Sequence, residues 1–193
     1  TFGVQAQDVS EGRSPNGGSS FDFFGEPTPN GPNNTTPGLD QVEPVSFSVR
    51  GGIYNSSRSV SLSTTTGGAD IYYTTDGSEP TTNDIEYSGP ITVSSNTPLR
   101  ARAFAPPFIE SIVTTQTYLF NISHTFPVVA YSADPDEMFD PTIGIYPNWE
   151  EDIEIVVNAE LYETDGTQGF NMRFESEIQG TGSASNAQKS LAL

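Results

Sequence analysis

No cysteine occurs among the 193 residues, so a disulfide framework and a thiolate metal site are both excluded. Cationic side chains are scarce. Seven Lys and Arg stand against 25 Asp and Glu, for a net charge of −18, and Lys189 is the sole lysine. A nucleic-acid partner is disfavoured on that balance, because few cations are available to neutralise phosphates. There is one histidine, His124, and one tryptophan, Trp149. No apolar run approaches the roughly 18 residues that a membrane-spanning helix requires. The first residue is Thr and no secretory leader is visible, which reads as a processed or truncated start.

What the chain has in quantity is turn chemistry and aromatic rings. Gly (18) and Pro (15) are abundant, while the hydrophobic share is only 34%. Twelve Phe and eight Tyr argue against disorder beyond the first 45 or so residues. The charge is uneven: −5 over residues 1–43, −2 over 44–123 and −11 over 124–193. A solvated acidic surface explains that concentration, and a divalent cation such as Ca²⁺ is the sharper alternative.

Three segments emerge, and the fold class they predict is all-β: an Ig- or fibronectin-like sandwich, a second strand-rich unit and an extended N-terminal arm. Residues 1–43 are turn-rich over 10–18, carry a short apolar patch at 21–24 that suits an edge strand, and continue into a proline-stiffened run at 26–34. Residues 44–122 alternate apolar and polar positions over 45–49 and 59–63, with further strand patterns at 71–75, 91–93, 99–105 and 111–120. The Val and Ile positions, with Tyr72, Phe104 and Tyr118, are expected to fill the core. At the end of the 71–75 strand, Asp76 and Gly77 make a strong turn dipeptide, and Pro80 keeps Glu79 out of a helix. In residues 123–193, Asp134 is placed to cap a short helix with Pro135 in its first turn. The runs 153–162 and 169–178 read as a hairpin turned at Asp165 and Gly166.

The run 71–82, Ile-Tyr-Tyr-Thr-Thr-Asp-Gly-Ser-Glu-Pro-Thr-Thr, with Leu-Arg-Ala-Arg-Ala at 99–103, resembles the C-terminal β-sandwich module of chitobiase and β-hexosaminidase-type enzymes. That resemblance covers about 44–122 and implies an accessory rather than a catalytic domain. Residues 11–17, Glu-Gly-Arg-Ser-Pro-Asn-Gly, followed by Phe-rich residues and by Thr28, Pro29 and Asn33, resemble the closing part of a lamin-tail-type domain. Phe-Pro-Val-Val at 126–129, then Asp134, Pro135, Met138, Phe139 and Asp140, Gly-Ile-Tyr-Pro-Asn at 144–148 and Gln-Lys-Ser-Leu at 188–191, resemble the opening of a CotH-type spore-coat kinase-like domain. By that last resemblance Lys189, behind the Gly-rich run 180–185, is the nucleotide-contacting lysine. The family's Arg after that run is replaced by Ala184, and no acidic metal-ligand motif follows before Leu193.

Read from the residues alone, the candidate sites are few. Asp134, Asp136, Glu137 and Asp140 can ligate Ca²⁺, although helix capping explains the same group. Glu150, Glu151 and Asp152, and a loop set of Asp70, Asp76 and Glu79, are further acidic clusters without EF-hand spacing. Trp149 is the candidate carbohydrate-stacking ring, and His124 reads as a solvated linker residue. No catalytic set is present. The expectation is therefore a non-catalytic spacer of a large extracellular or cell-surface bacterial protein, with self-association through β-edges as its assembly mode. A CotH-like kinase front end and a carbohydrate-binding module are the alternatives.

Overall fold

A computed structural model of the protein describes residues 10–14, 17–24, 41–180 and 189–192. The proline-rich run 26–34 and the Gly-rich run after Gly180 lie outside the described residues. The turn-rich start contains a two-stranded antiparallel hairpin, β1 (Ser10–Ser14) and β2 (Ser20–Phe24), in register from Ser10 opposite Phe24 to Ser14 opposite Ser20. Gly17 turns it at a positive φ of 76°, and Arg13 Nη1 donates to the Gly18 carbonyl at 2.7 Å.

The sandwich is built from nine further strands before the third sheet begins. They are β3 (Ser46–Phe47), β4 (Gly52–Tyr54), β5 (Arg58–Val60), β6 (Leu62–Ser63), β7 (Asp70–Thr74), β8 (Ile85–Glu86), β9 (Ile91–Val93) and β10 (Thr97–Phe104), completed by β11 (Thr114–Phe120). One sheet has the order β4-β11-β10-β7-β8, with β4 parallel to β11. Facing it are two short pairs, β3-β6 and β5-β9. The core between them holds Val45, Val60, Leu62, Ile71, Val93, Leu99, Ala101, Ala103 and Tyr118. It begins at Val42, whose N–H donates to the Ile109 carbonyl at 2.8 Å, slightly earlier than the alternation predicts.

Two expectations are corrected. The run 59–63 is not one strand: Arg58–Val60 pairs with β9, whereas Leu62–Ser63 pairs with β3. The chain changes partner at Ser61, whose N–H donates to Ser48 Oγ at 2.7 Å, because the narrow second layer is divided between two ribbons. Tyr72 and Phe104 are not core residues. Alternation along β7 and β10 puts them on the opposite face from Leu99 and Ala101, half-buried and packed edge to face at 5.6 Å.

The third sheet has the order β12-β13-β14-β15 and is antiparallel throughout: β12 (Val128–Ser132), β13 (Glu154–Tyr162), β14 (Gln168–Gln179) and β15 (Ser190–Ala192). The expected hairpin is β13 and β14. Its turn is held by Asp165 Oδ1, which accepts from the Thr167 N–H and hydroxyl, with Gly166 at a φ of 84°. The expected helix is α1 (Pro135–Phe139), with Asp134 Oδ1 accepting from Asp136 N–H at 2.9 Å and Pro135 in the first turn. One face of this sheet is apolar. Ile155 and Val157 pack with Tyr131, Phe174, Ile178 and Leu191 beneath Met138 and Ile145 of the α1 region. The other face is polar and turns towards the sandwich.

Leu99 is fully buried at the centre of β10, so truncation leaves a cavity. Leu99→Ala is expected to lower unfolding stability by about 3 kcal/mol in urea titration, with Phe104→Ala, on the outer face, costing clearly less.

Candidate functional site at the contact between the two units

The loop after β7 is where the sequence is most distinctive, and the structure uses it as a joint. Thr74 Oγ1 donates to the Ser78 carbonyl at 2.6 Å, and Asp76 Oδ1 accepts from the Ser78 N–H and hydroxyl at 3.0 and 2.6 Å. The Ser78 hydroxyl, above all, holds the Asp76 carboxyl below its usual range. Gly77 is required twice over. Its φ is 102°, and a Cβ there would collide with the Ala133 carbonyl oxygen, just before α1. The turn therefore lies directly against the third-sheet unit.

That arrangement aims Glu79 at two arginines from different units. Arg100, on β10, is fully buried; its Nη1 donates to the Gly77 carbonyl and its Nη2 to Glu79 Oε1 at 3.2 Å. Arg173, on β14, donates Nη2 to the same Oε1. The Glu79 N–H reaches Asp134 Oδ2 at 3.4 Å. Burial pulls the Arg100 guanidinium below its ordinary range, and Glu79 opposes that pull. Burial also pushes the Glu137 carboxyl up, helped by its negative neighbours Asp134 and Glu79. Acids and arginines thus alternate across the joint.

A second polar cluster lies deeper in the same contact. Tyr162 Oη is 2.8 Å from the Thr117 carbonyl oxygen and 2.8 Å from Glu160 Oε1. Gln168 Nε2 and Asn171 Nδ2 also point at Glu160 Oε1, at 3.1 and 3.3 Å, and Asn171 Nδ2 reaches the Thr115 carbonyl at 2.8 Å. Thr117 and Ser132 pair through their hydroxyls at 3.2 Å. Gly51 closes this cluster: a Cβ there would sit 2.5 Å from Tyr162 Oη and 2.8 Å from Glu160 Oε1.

The residues singled out from sequence fall elsewhere. Asp134 is occupied as a cap and as an acceptor for Glu79, and Asp140 Oδ1 accepts from the Thr142 and Ile143 N–H groups. Among the described residues no three His, Asp or Glu side chains group so as to hold a metal ion. Asp134, Asp136, Glu137 and Asp140 therefore do not form such a group, and the Asp134 and Asp140 carboxylates serve backbone N–H groups at the two ends of the helical turn. Trp149 is half-buried, with the Lys189 ammonium 5.1 Å from its ring centre and 6.0 Å from that of Tyr146. Lys189 directly precedes β15, and its ammonium lies over Trp149, the candidate sugar platform. His124 Nδ1 is 2.9 Å from the Phe126 carbonyl oxygen. Glu154, Glu175 and Glu177 line a shallow groove on the polar face, with Glu154 directly opposite Glu177.

Sequence reasoning gave Glu79 a turn or loop-ligand role and did not single out Arg100, Arg173 or Glu160. The available signal was a charged residue inside an otherwise apolar strand: Arg100 between Leu99 and Ala101, and Glu160 between Ala159 and Leu161. Charges so placed are seldom buried unless partnered.

The class of protein that this geometry defines is a β-sandwich module locked to a second sheet through a polar joint. Residues 49–115 match the family model of the chitobiase/beta-hexosaminidase C-terminal domain. The match contains Glu79, Gly77 and Arg100; it does not extend to 1–34 or to 124–193, and so leaves out Arg173 and Glu160. No curated protein and no solved structure matches the chain.

Removing Glu79 strands a buried arginine, whereas removing Arg173 frees a half-exposed pair. Glu79→Ala is expected to cost about 3–5 kcal/mol in chemical denaturation, and Arg173→Ala about 1 kcal/mol or less. Equal losses would contradict the assignment of Arg100 as the buried partner.

Proposed function

We propose that this chain is a non-catalytic structural segment of a large secreted or cell-surface bacterial protein, in which two β-rich units are fixed into a single spacer. The observation that carries the reading is the joint itself: Glu79 lies between Arg100 of the sandwich and Arg173 of the third sheet, and Gly77 is pressed against Ala133. A loop offered to a ligand would leave its acceptors facing solvent; here the Glu79 carboxylate is taken up by Arg100 and Arg173. The family match supports an accessory role for the sandwich. Self-association belongs to the same reading, with β12 as the outer strand and the exposed Val129 on it as the surface that a second copy would cover.

A second reading, that residues 123–193 open a CotH-like domain whose chemistry lies in a continuation of the chain, is favoured by the order of strand, capped helix and hairpin over 128–179. A third, carbohydrate binding, rests on Trp149 and on the enzymes whose accessory domain the family model describes.

One experiment separates the three. Lys189 lies over the only tryptophan, so intrinsic fluorescence reports on both candidate sites. Under the spacer reading, titration with Mg-ATP or with chitin oligosaccharides leaves Trp149 emission unchanged. A saturable change with ATP that Lys189→Met abolishes would favour the kinase reading, and one with the oligosaccharide would favour the carbohydrate reading.

A further inference from the structure

The Glu160 cluster places one more acceptor around Tyr162 than its single phenolic proton can serve. A tyrosine hydroxyl carries a single proton, and Tyr162 Oη lies 2.8 Å from each of two oxygens, the Thr117 carbonyl and Glu160 Oε1. The carbonyl cannot donate. A protonated Glu160 satisfies both contacts: Tyr162 donates to Thr117, and the carboxyl, carrying its proton on Oε1, donates to Tyr162, with the Gln168 and Asn171 amide nitrogens 3.1 and 3.3 Å from the same oxygen. The second carboxyl oxygen, Oε2, is buried with no hydrogen-bond partner, so ionisation would leave charge on an unsolvated atom. Glu160 has no exposed surface, and Gly51 is packed against both it and Tyr162.

We propose that Glu160 is held as a neutral carboxylic acid in the contact between β13 and β11, and that its ionisation loosens the joint between the sandwich and the third sheet. The groups facing it are identified on every side. From β13 comes Tyr162; from β14, Gln168 and Asn171; from β11, Thr117, through its hydroxyl as well as its backbone, and the Tyr118 phenol; and from the segment before β4, Gly51. Tyr54 adds to the field on Tyr118 and Tyr162. No cation is among the groups that set the protonation of Glu160, while Arg100 and Arg173 are engaged by Glu79 at the other cluster.

Burial works in the same direction: it pushes the Glu160 carboxyl up, against opposing hydrogen bonds from Thr117 and Tyr162. A carboxyl whose folded pKa exceeds its unfolded value contributes stability that is fully present below the unfolded pKa and is lost as pH rises through the folded one. The proton released on opening goes to solvent. The Glu160 contribution to the joint is thus greatest in acid and is lost towards neutral and alkaline pH, opposite to the behaviour of a paired carboxylate.

The test uses the full chain. Carbonyl ¹³C NMR follows the Glu160 side chain directly, and amide hydrogen exchange on β11 and β13, corrected for intrinsic base catalysis, reports opening of the joint. Glu160 is expected to titrate above the exposed glutamates. The opening constant should rise severalfold from about pH 5 to about pH 8 as the Glu160 proton is lost. Glu160→Gln has no proton to lose at this position, so its opening constant should rise clearly less over that interval, the remainder coming from Glu137, whose carboxyl burial also pushes up. If Glu160 of the unaltered protein titrates with the exposed glutamates, or if Glu160→Gln keeps the same pH dependence, the inference is overturned. The ¹³C titration decides the matter even if the variant does not fold.

Discussion

Arg100 is a guanidinium with no exposed surface, and the way its charge is met determines how the two β units join. Burying a cation costs several kcal/mol unless its donors find acceptors. The direct strand neighbours of Arg100 are Thr74 and Thr115, which carry no charge to offset it. The acceptors come instead from the loop after β7, which offers the Gly77 carbonyl and the Glu79 carboxylate. Only a sharp turn brings both within reach of one side chain, and the Asp76–Gly77 pair makes that turn. Once Glu79 is fixed, it presents the same oxygen to Arg173 from the third sheet. The buried charge therefore constrains the loop, and the loop constrains the docking of the second unit. An apolar replacement of such a network is often as stable or more so, so its value here is in orientation: a greasy contact could slide, and this one cannot.

The third sheet is built for that arrangement. Its apolar face is served locally by α1 and the segment after it, through Met138, Ile145 and Tyr146, so the unit does not need the sandwich to bury Ile155 and Val157. What it offers the sandwich is polar: Ser132, Glu160, Tyr162, Asn171 and Arg173. Such a contact depends on geometry more than on area, since each buried polar group costs free energy if left unmatched. Gly51 and Gly77 are two positions in the contact where a Cβ would collide with atoms of the third-sheet unit, and each lies beside one of the two polar clusters.

Much of this was legible in the sequence wherever a local rule governs. Asp134 and Pro135 announced α1, Asp165 and Gly166 announced the β13–β14 hairpin, and the 71–82 run announced a strand ending in a turn. The all-β class followed from alternation and turn spacing. Alternation cannot say which of two faces is inner, and Tyr72 and Phe104 were therefore misplaced on the core side. Nor can it show a strand changing partner, as happens at Ser61. The joint was the least legible part. Glu79 and Arg173 are 94 residues apart, and nothing in either neighbourhood predicts their pairing. The clues were Arg100 and Glu160, charges in apolar strands, which show that something must meet them but not what.

The central claim is that the sandwich and the third sheet are held as one body by Glu79. Backbone ¹⁵N relaxation tests it most directly, by comparing the rotational correlation times of residues 44–120 and 128–178. One shared correlation time in the unaltered protein, splitting into two faster and unequal values in Glu79→Ala with both sheets still folded, is what the account predicts. Two independent correlation times in the unaltered protein would contradict it.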